Sequence, residues 1–242
     1  MRIQSNSLAE QVERILRQRL YNGDYAAGSR MPSESELATE FGVSRATVRT
    51  VLAKLAAQGL ILRRQGDGTY VNERVQQAKA HLQNIWDFAC LIEHNGFSPS
   101  IRVISKEVRE ATESESRALA IEPGGALLSM TRLFCANGKP VILAQNVFPL
   151  SLFQVPVEEV DGSRRIRDIV RQYCQHEIAF AITEIHAKLP SEEVARLLER
   201  SADDPLLFLN IAFYSKENIP LALGESYFDD ATLQLNLVQV WS

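Results

Sequence analysis

The stretch 31–71, MPSESELATEFGVSRATVRTVLAKLAAQGLILRRQGDGTYV, decides the fold. After Pro32, Ser33-Glu34-Ser35-Glu36 has capping-box spacing, a hydroxyl at the N-cap and a carboxylate three residues on. It opens a short helix with Leu37, Ala38 and Phe41 inward, and Gly42 suits the left-handed position that ends it. Ser44 then caps a second helix, whose Val48, Val51, Leu52 and Leu55 make one apolar stripe before Gly59 stops it. Two helices joined so tightly read as helix-turn-helix. Two short strands follow, 60–63 and 69–71, linked by the turn Arg64-Gln65-Gly66-Asp67-Gly68. Upstream, Ser7-Leu8-Ala9-Glu10 repeats the capping-box spacing and starts a helix with Leu8, Val12, Ile15, Leu16 and Leu20 on one face. Three helices and a hairpin make a winged helix-turn-helix.

The chemistry lies on what the core leaves free. Arg45 and Arg49 are four apart, so they share a second face of the capped helix, with Thr47 beside them near its start. Side chains at the start of the second helix of such a motif reach base edges in the major groove. An arginine donating two parallel bonds to guanine discriminates by about 1–3 kcal/mol. A helix N-terminus also favours phosphate through its free N–H groups. The hairpin adds Arg63, Arg64 and Gln65, while Gly66 and Gly68 let the backbone approach sugar-phosphate closely. Singly, these are a solvated helix face, an ordinary turn and a common helix pair; together, in this order, they predict DNA binding.

Bulk properties agree. The 242 residues, 45% of them hydrophobic, suffice for two modest domains. No apolar run approaches the ~20 residues of a membrane helix, and the N-terminus lacks the apolar stretch of a signal peptide. Cys90, Cys135 and Cys174 are a poor disulfide framework and suit a reducing cytoplasm. Through residue 75 there are 11 Lys+Arg against 8 Asp+Glu, net +3, so the remainder carries −7 of the total −4. A basic piece on an acidic one fits a nucleic-acid-binding module attached to something else.

The pieces "G..Y..G", "PSE.EL", "FGVSR.TVR", "L...GL" and "R.GDGTYV" resemble the N-terminal domain of the GntR family of bacterial transcription regulators, over about residues 7–72. The resemblance implies a dimeric, repressor-like protein on short inverted repeats of double-stranded operator DNA. On matching positions it implies DNA contacts from Ser33, Ser44, Arg45, Thr47, Arg49, Gln65, Gly66 and Gly68, to which the wing reading adds Arg64. Met31 stands where the family usually has leucine, a swap of similar volume. Ser35 stands where some members have a DNA-contacting arginine.

Residues 73–85 are polar and read as a linker, and the chain beyond repeats itself. Setting 126–148 above 206–228 places Phe134 over Tyr214, Pro140 over Pro220 and Phe148 over Phe228, each at an offset of 80. Each copy reads as strand, turn (Asn137-Gly138 or Glu217-Asn218) and strand. A helix precedes each, one capped by Thr112 with Glu115, the other starting after Pro190-Ser191, and strands near 101–108 and 178–188 precede those. Two similar halves offer a cleft for a ligand. Arg132 and Phe134 share one strand face, as do Glu225 and Tyr227. An arginine on the apolar strand LLSMTRLF needs a partner if buried. An anionic ligand is one; Glu225 or another carboxylate is the structural alternative.

This half resembles the UTRA effector domain of the HutC subgroup of GntR regulators, over about 86–240. The resemblance implies a small-molecule sensor with a chorismate lyase-like fold. The family's "R.R.ADG.P" appears as Arg132 to Pro140 with Phe134 in place of the second arginine, "S.Y" keeps Ser163 and loses its tyrosine, and "E..Y" survives around Glu225 and Tyr227. These departures argue against a sugar phosphate. Arg164 or Arg165 is a candidate for the missing positive charge, against the plainer reading of a solvated helix start.

The expectation is thus an α+β chain. Residues 1–72 form a winged helix-turn-helix, 73–85 a linker, and 86–242 a mixed α/β, UTRA-like domain with an antiparallel sheet that binds effector and dimerises. The function expected is a cytoplasmic, homodimeric repressor released by a small anionic metabolite. The candidate effector site is Arg132, Phe134, Ser163, Arg164, Glu225 and Tyr227. No cofactor, catalytic residue, metal or membrane partner is expected. Cys174-Gln175-His176 could be half a metal site, but no second ligand pair accompanies it. Two alternatives stay open: a DNA-binding dimer without effector, and a second domain with residual enzymatic activity.

Overall fold

The computed structural model describes residues 8–73, 87–233 and 235, which fall into two compact units, one on each side of the 74–86 stretch. In the first, Val12, Leu16 and Leu20 form the buried stripe of helix α1 (Leu8–Asn22). Leu8 and Ile15, expected on that stripe, are exposed. At 100° per residue they lie about 80° and 100° from Leu16 on the same side, on the rim of the buried face. The Ser7 cap lies outside the described residues. Helix α2 (Glu34–Phe41) starts with the expected capping box: the Glu36 amide donates to Ser33 Oγ (3.2 Å) and the Ser33 amide to Glu36 Oε2 (2.7 Å). It ends on Gly42 at φ +63°, a conformation that disfavours a Cβ. Helix α3 (Arg45–Ala57) buries Val48, Val51, Leu52 and Leu55 as its spacing predicts. Strands β1 (Ile61–Arg64) and β2 (Gly68–Val71) pair antiparallel, each within a residue of its expected bounds. Met31 is buried in the same core as Leu37, Leu52 and Ile61, so it fills the position usually taken by leucine.

The second unit begins with helix α4 (Phe88–His94), strand β3 (Pro99–Glu110), helix α5 (Glu113–Leu119) and strands β4 (Ala126–Ala136) and β5 (Lys139–Pro149). Helix α6 (Ile166–Tyr173), strand β6 (Phe180–Lys188), helix α7 (Glu192–Leu198) and strands β7 (Leu206–Tyr214) and β8 (Pro220–Phe228) follow. The strands make one antiparallel sheet in the order β3-β4-β5-β8-β7-β6. Each half of the sheet is therefore one copy of the repeat. The β4–β5 turn puts Asn137 at φ +51° and Gly138 at +85°, the positive-φ pair of a tight hairpin. The register carries the symmetry further. An offset of 80 takes Gln145 onto Glu225, and these two residues pair across β5 and β8. A pseudo-two-fold axis thus passes through that pair.

Strand register also assigns the faces. Arg132 pairs with Ala144 and Phe134 with Ile142; across the next ladder Ala144 pairs with Ser226, Asn146 with Gly224 and Ile142 with Phe228. Arg132, Phe134, Asn146, Gly224 and Phe228 therefore share one face. Helix α4 covers it, with Phe88 edge-on to Phe134 and to Phe228, ring centroids 5.1 Å apart in both cases. The other face is covered by α5, where Leu119 packs with Leu127 and Val147, and by α7, where Leu198 packs with Leu133 and Leu143.

Candidate DNA interface and effector pocket

In the first unit the sequence-predicted DNA residues form two groups. Ser44 Oγ accepts from the Thr47 amide (3.1 Å) and meets Thr47 Oγ1 at 2.8 Å, which fixes the first turn of α3. Arg45 and Arg49 project from that turn into solvent. Arg49 is held by Glu34: its Nε and Nη2 donate to Glu34 Oε2 at 3.1 and 3.0 Å. The second group lines an open groove: Ser33 at the start of α2, and Arg64, Gln65, Gly66 and Gly68 of the wing. Gly66 at φ +77° and Gly68 at φ +140° give the turn a backbone other residues resist. A Cβ at Gly68 would meet Arg30 Nε at 2.8 Å, so the glycine admits the Arg30 side chain. The Arg30 guanidinium donates to the Asp67 carbonyl and braces the wing. Arg64 lies over the Tyr70 ring, 4.4 Å from its centroid. Glu34 and Arg30 are positioning groups that sequence reasoning missed. The only signal was the placement of Glu34 inside the capping sequence, which explained it fully as a helix starter.

In the second unit Arg132 is buried at 2% exposure. Its Nη2 donates to Asn146 Oδ1 (2.6 Å), and its Nη1 to the Arg164 carbonyl (2.8 Å) and more distantly to that of Gly162 (3.5 Å). Its Nε has no hydrogen-bond partner. Among the described residues no carboxylate makes an ion pair with it. Burial alone pushes the guanidinium down to about 10. Phe134 lies beneath it, 5.3 Å from ring centroid to Cζ. Asp87, Phe88, Arg165, Ile166 and Phe213 close the surrounding pocket, leaving space of about 10 Å³, roughly one water molecule. Arg165 is the N-cap of α6 and its side chain makes no capping hydrogen bond, so the helix begins at the pocket wall without a side-chain cap.

The side chains of the remaining predicted effector residues are directed elsewhere. Glu225 and Tyr227 share a face, as their spacing predicts, but it is the face opposite Arg132, so Glu225 is not its counter-ion. Strand alternation fixes faces within one strand; only the hairpin and ladder registers relate Arg132 to Asn146 and not to Gln145. Ser163 Oγ donates to Asp161 (2.6 Å) and the Arg164 side chain pairs with the same carboxylate (3.4 Å). Of Arg164, the backbone carbonyl serves Arg132. Arg165 brings positive charge to the pocket, paired there with Asp87 (3.5 Å) and Glu93 (3.2 Å). Asn146, Asp87 and Phe213 went unread. Among the described residues, no group of three or more His, Cys, Asp or Glu could hold a metal ion, and no helix is long and apolar enough to cross a membrane.

Comparison with known proteins adds the following. Residues 8–71 match the family described as bacterial regulatory proteins, gntR family, and residues 94–232 match the UTRA domain. The chain is 28% identical to the HTH-type transcriptional repressor NagR of Bacillus subtilis over 219 residues, covering 90% of this chain and 88% of that one. It is 29% identical to the mannosyl-D-glycerate transport/metabolism system repressor MngR of Escherichia coli over 200 residues, covering 83% and 82%. Its fold is similar to that of YydK from Bacillus subtilis, with a TM-score of 0.73 at 20% identity over 97% of this chain and 99% of that one.

Proposed function

Because the chain belongs to the GntR family of bacterial transcription regulators and carries a UTRA domain, we propose that it is a cytoplasmic, homodimeric repressor released from operator DNA by a small anionic metabolite. Residues 1–72 bind the operator, and residues 86–242 bind the effector and the second copy, joined through 73–85. The reading assigns base and phosphate contacts to Arg45, Thr47 and Arg49 on α3, with Ser33, Ser44, Arg64, Gln65, Gly66 and Gly68 on the helix starts and the wing. A two-fold protein matches an inverted repeat, each recognition helix taking one half-site.

The observation that carries the effector reading is Arg132: a buried guanidinium with one N–H unsatisfied and no carboxylate ion pair among the described residues. A charge so placed is costly until an anion joins it. Arg165 lines the same wall, where Asp87 and Glu93 offset its charge until the anion takes the place of one of them, and the start of α6 faces that wall without a side-chain cap. Phe88, Phe134 and Phe213 supply an apolar flank, which suits an anionic head on a partly apolar body better than a polyhydroxylated one. Because the space beside Arg132 holds about one water, an effector of that kind requires the pocket wall to move. The chain turns nothing over; its chemistry is binding.

The test begins by selecting duplexes from a random pool with the purified protein, then challenging the complex with carboxylated and phosphorylated metabolites. One class releases the DNA and is recovered unchanged. Arg45→Ala and Arg49→Ala each weaken the selected duplex by about 10-fold or more while the melting temperature and dimer stay as they are. Wild-type affinity in both variants removes α3 from the interface.

A further inference from the structure

Glu34 occupies the first position of α2 with its side chain 18% exposed, between arginines of two other elements. Arg49 of α3 presents its Nε–Nη2 edge, donating to Oε2 at 3.1 and 3.0 Å and from Nε to Oε1 at 3.4 Å. Arg63 of β1 donates from Nη2 to Oε1 at 2.9 Å. The carboxyl is held below its ordinary range, chiefly by the Arg49 hydrogen bond, with the Arg63 and Arg45 charges adding to it, so it is ionised at neutral pH. A guanidinium has five N–H donors in a rigid plane. Holding the Nε–Nη2 edge fixes that plane and leaves the Nη1–Nη2 edge, suited to a guanine or a phosphate, outside the ion pair on a side chain that is 62% exposed. Meanwhile a negative charge sits within a basic surface whose pull on any phosphate is independent of sequence.

We infer that Glu34 is a positioning residue that sets sequence discrimination: it orients Arg49, ties the wing strand to the recognition helix, and cancels one positive charge that would otherwise attract DNA of any sequence. The inference rests on reading α3 as the DNA-reading helix. Both arginines of the cluster are solvent-exposed, so the ion pairs contribute little to stability, and removing the carboxylate leaves the fold in place and shows in recognition.

The experiment measures affinity for the selected duplex and for a scrambled duplex, from 50 to about 300 mM salt, using the full-length wild type, Glu34→Gln and Glu34→Asp. Glu34→Gln binds the scrambled duplex several-fold more tightly and loses about 10-fold of the specific-to-nonspecific ratio. Glu34→Asp keeps the charge but is one methylene short of spanning both arginines, so scrambled binding stays at the wild-type level while part of the ratio is lost. A ratio within two-fold of wild type in Glu34→Gln overturns the inference, as does a parallel loss on both duplexes, which a merely structural role predicts. A wild type that selects no duplex overturns the DNA-reading assignment itself, and the inference with it.

Discussion

Arg132 is the residue on which the effector reading turns, and its environment fixes a prediction of unusual sign. Removing a buried, hydrogen-bonded group ordinarily destabilises a protein. Here the charge is buried, its Nε is unsatisfied and burial lowers its pKa to about 10, all of which burden the ligand-free fold. Arg132→Met combined with Asn146→Leu keeps most of the volume and removes both the charge and the buried acceptor it would otherwise strand. The variant unfolds at a higher temperature than wild type without ligand, by about 1–3 kcal/mol of stability, and shows no shift with any anion that stabilises wild type. Thermal unfolding with and without the anion reads both effects; a lower melting temperature combined with a retained shift contradicts the assignment. That the arginine mattered was legible from a lone charge in LLSMTRLF. That Asn146 and the Arg164 carbonyl would hold it was not, because both contacts depend on registers and loop paths set by the whole sheet.

At the scale of elements, the two halves of the second unit invite a comparison that the repeat makes internal. Helix α5 starts with a full capping box, Thr112 with Glu115, and Arg109 clamps Glu115 through two bonds of 2.8 and 2.6 Å. Its counterpart α7 has only Ser191, whose hydroxyl accepts from the Val194 amide at 3.3 Å. Thr112→Ala therefore costs more, about 1–2 kcal/mol against about 0.5–1 kcal/mol for Ser191→Ala, as measured by urea unfolding. The Thr112 cap was legible, since hydroxyl-to-carboxylate spacing is local; for α7 only a start after Pro190-Ser191 was, because Val194 stands where the carboxylate would be. The Arg109 clamp was not, because it joins a strand to a helix across a turn. It also carries a pH signature. The Arg109 hydrogen bonds are the main cause holding the Glu115 carboxyl down to about 2, from an ordinary 4.5. A carboxyl depressed in the folded state contributes fully above its unfolded pKa and loses that contribution as pH falls through the folded one. Glu115→Gln therefore lowers stability at neutral pH, and the gap to wild type closes between about pH 4.5 and pH 2. A gap of constant size across that window contradicts the clamp.

At the scale of the molecule, the division into two units and the internal duplication were both legible, the first from a motif ending near residue 72, the second from an 80-residue offset that the strand register reproduces at Gln145 and Glu225. What the offset could not tell is which face of the sheet each half presents to a ligand, since a single-residue slip exchanges the faces. The regulatory reading joins the units thermodynamically, and that link is reciprocal. If the anion weakens operator binding by a factor of about 100, bound operator weakens the anion by the same factor, a coupling of about 2.7 kcal/mol. The check is a pair of titrations: the anion into free protein and into protein saturated with the selected duplex, then the duplex into free and anion-saturated protein. Equal factors close the linkage cycle within a constant assembly. Unequal factors require a third process inside the cycle, and the one available to the proposed homodimer is dissociation. In that case the ratio varies with protein concentration, because subunit exchange is the only step whose balance depends on it. Repeating the cycle at a ten-fold higher concentration therefore separates a change of conformation within the dimer from its loss.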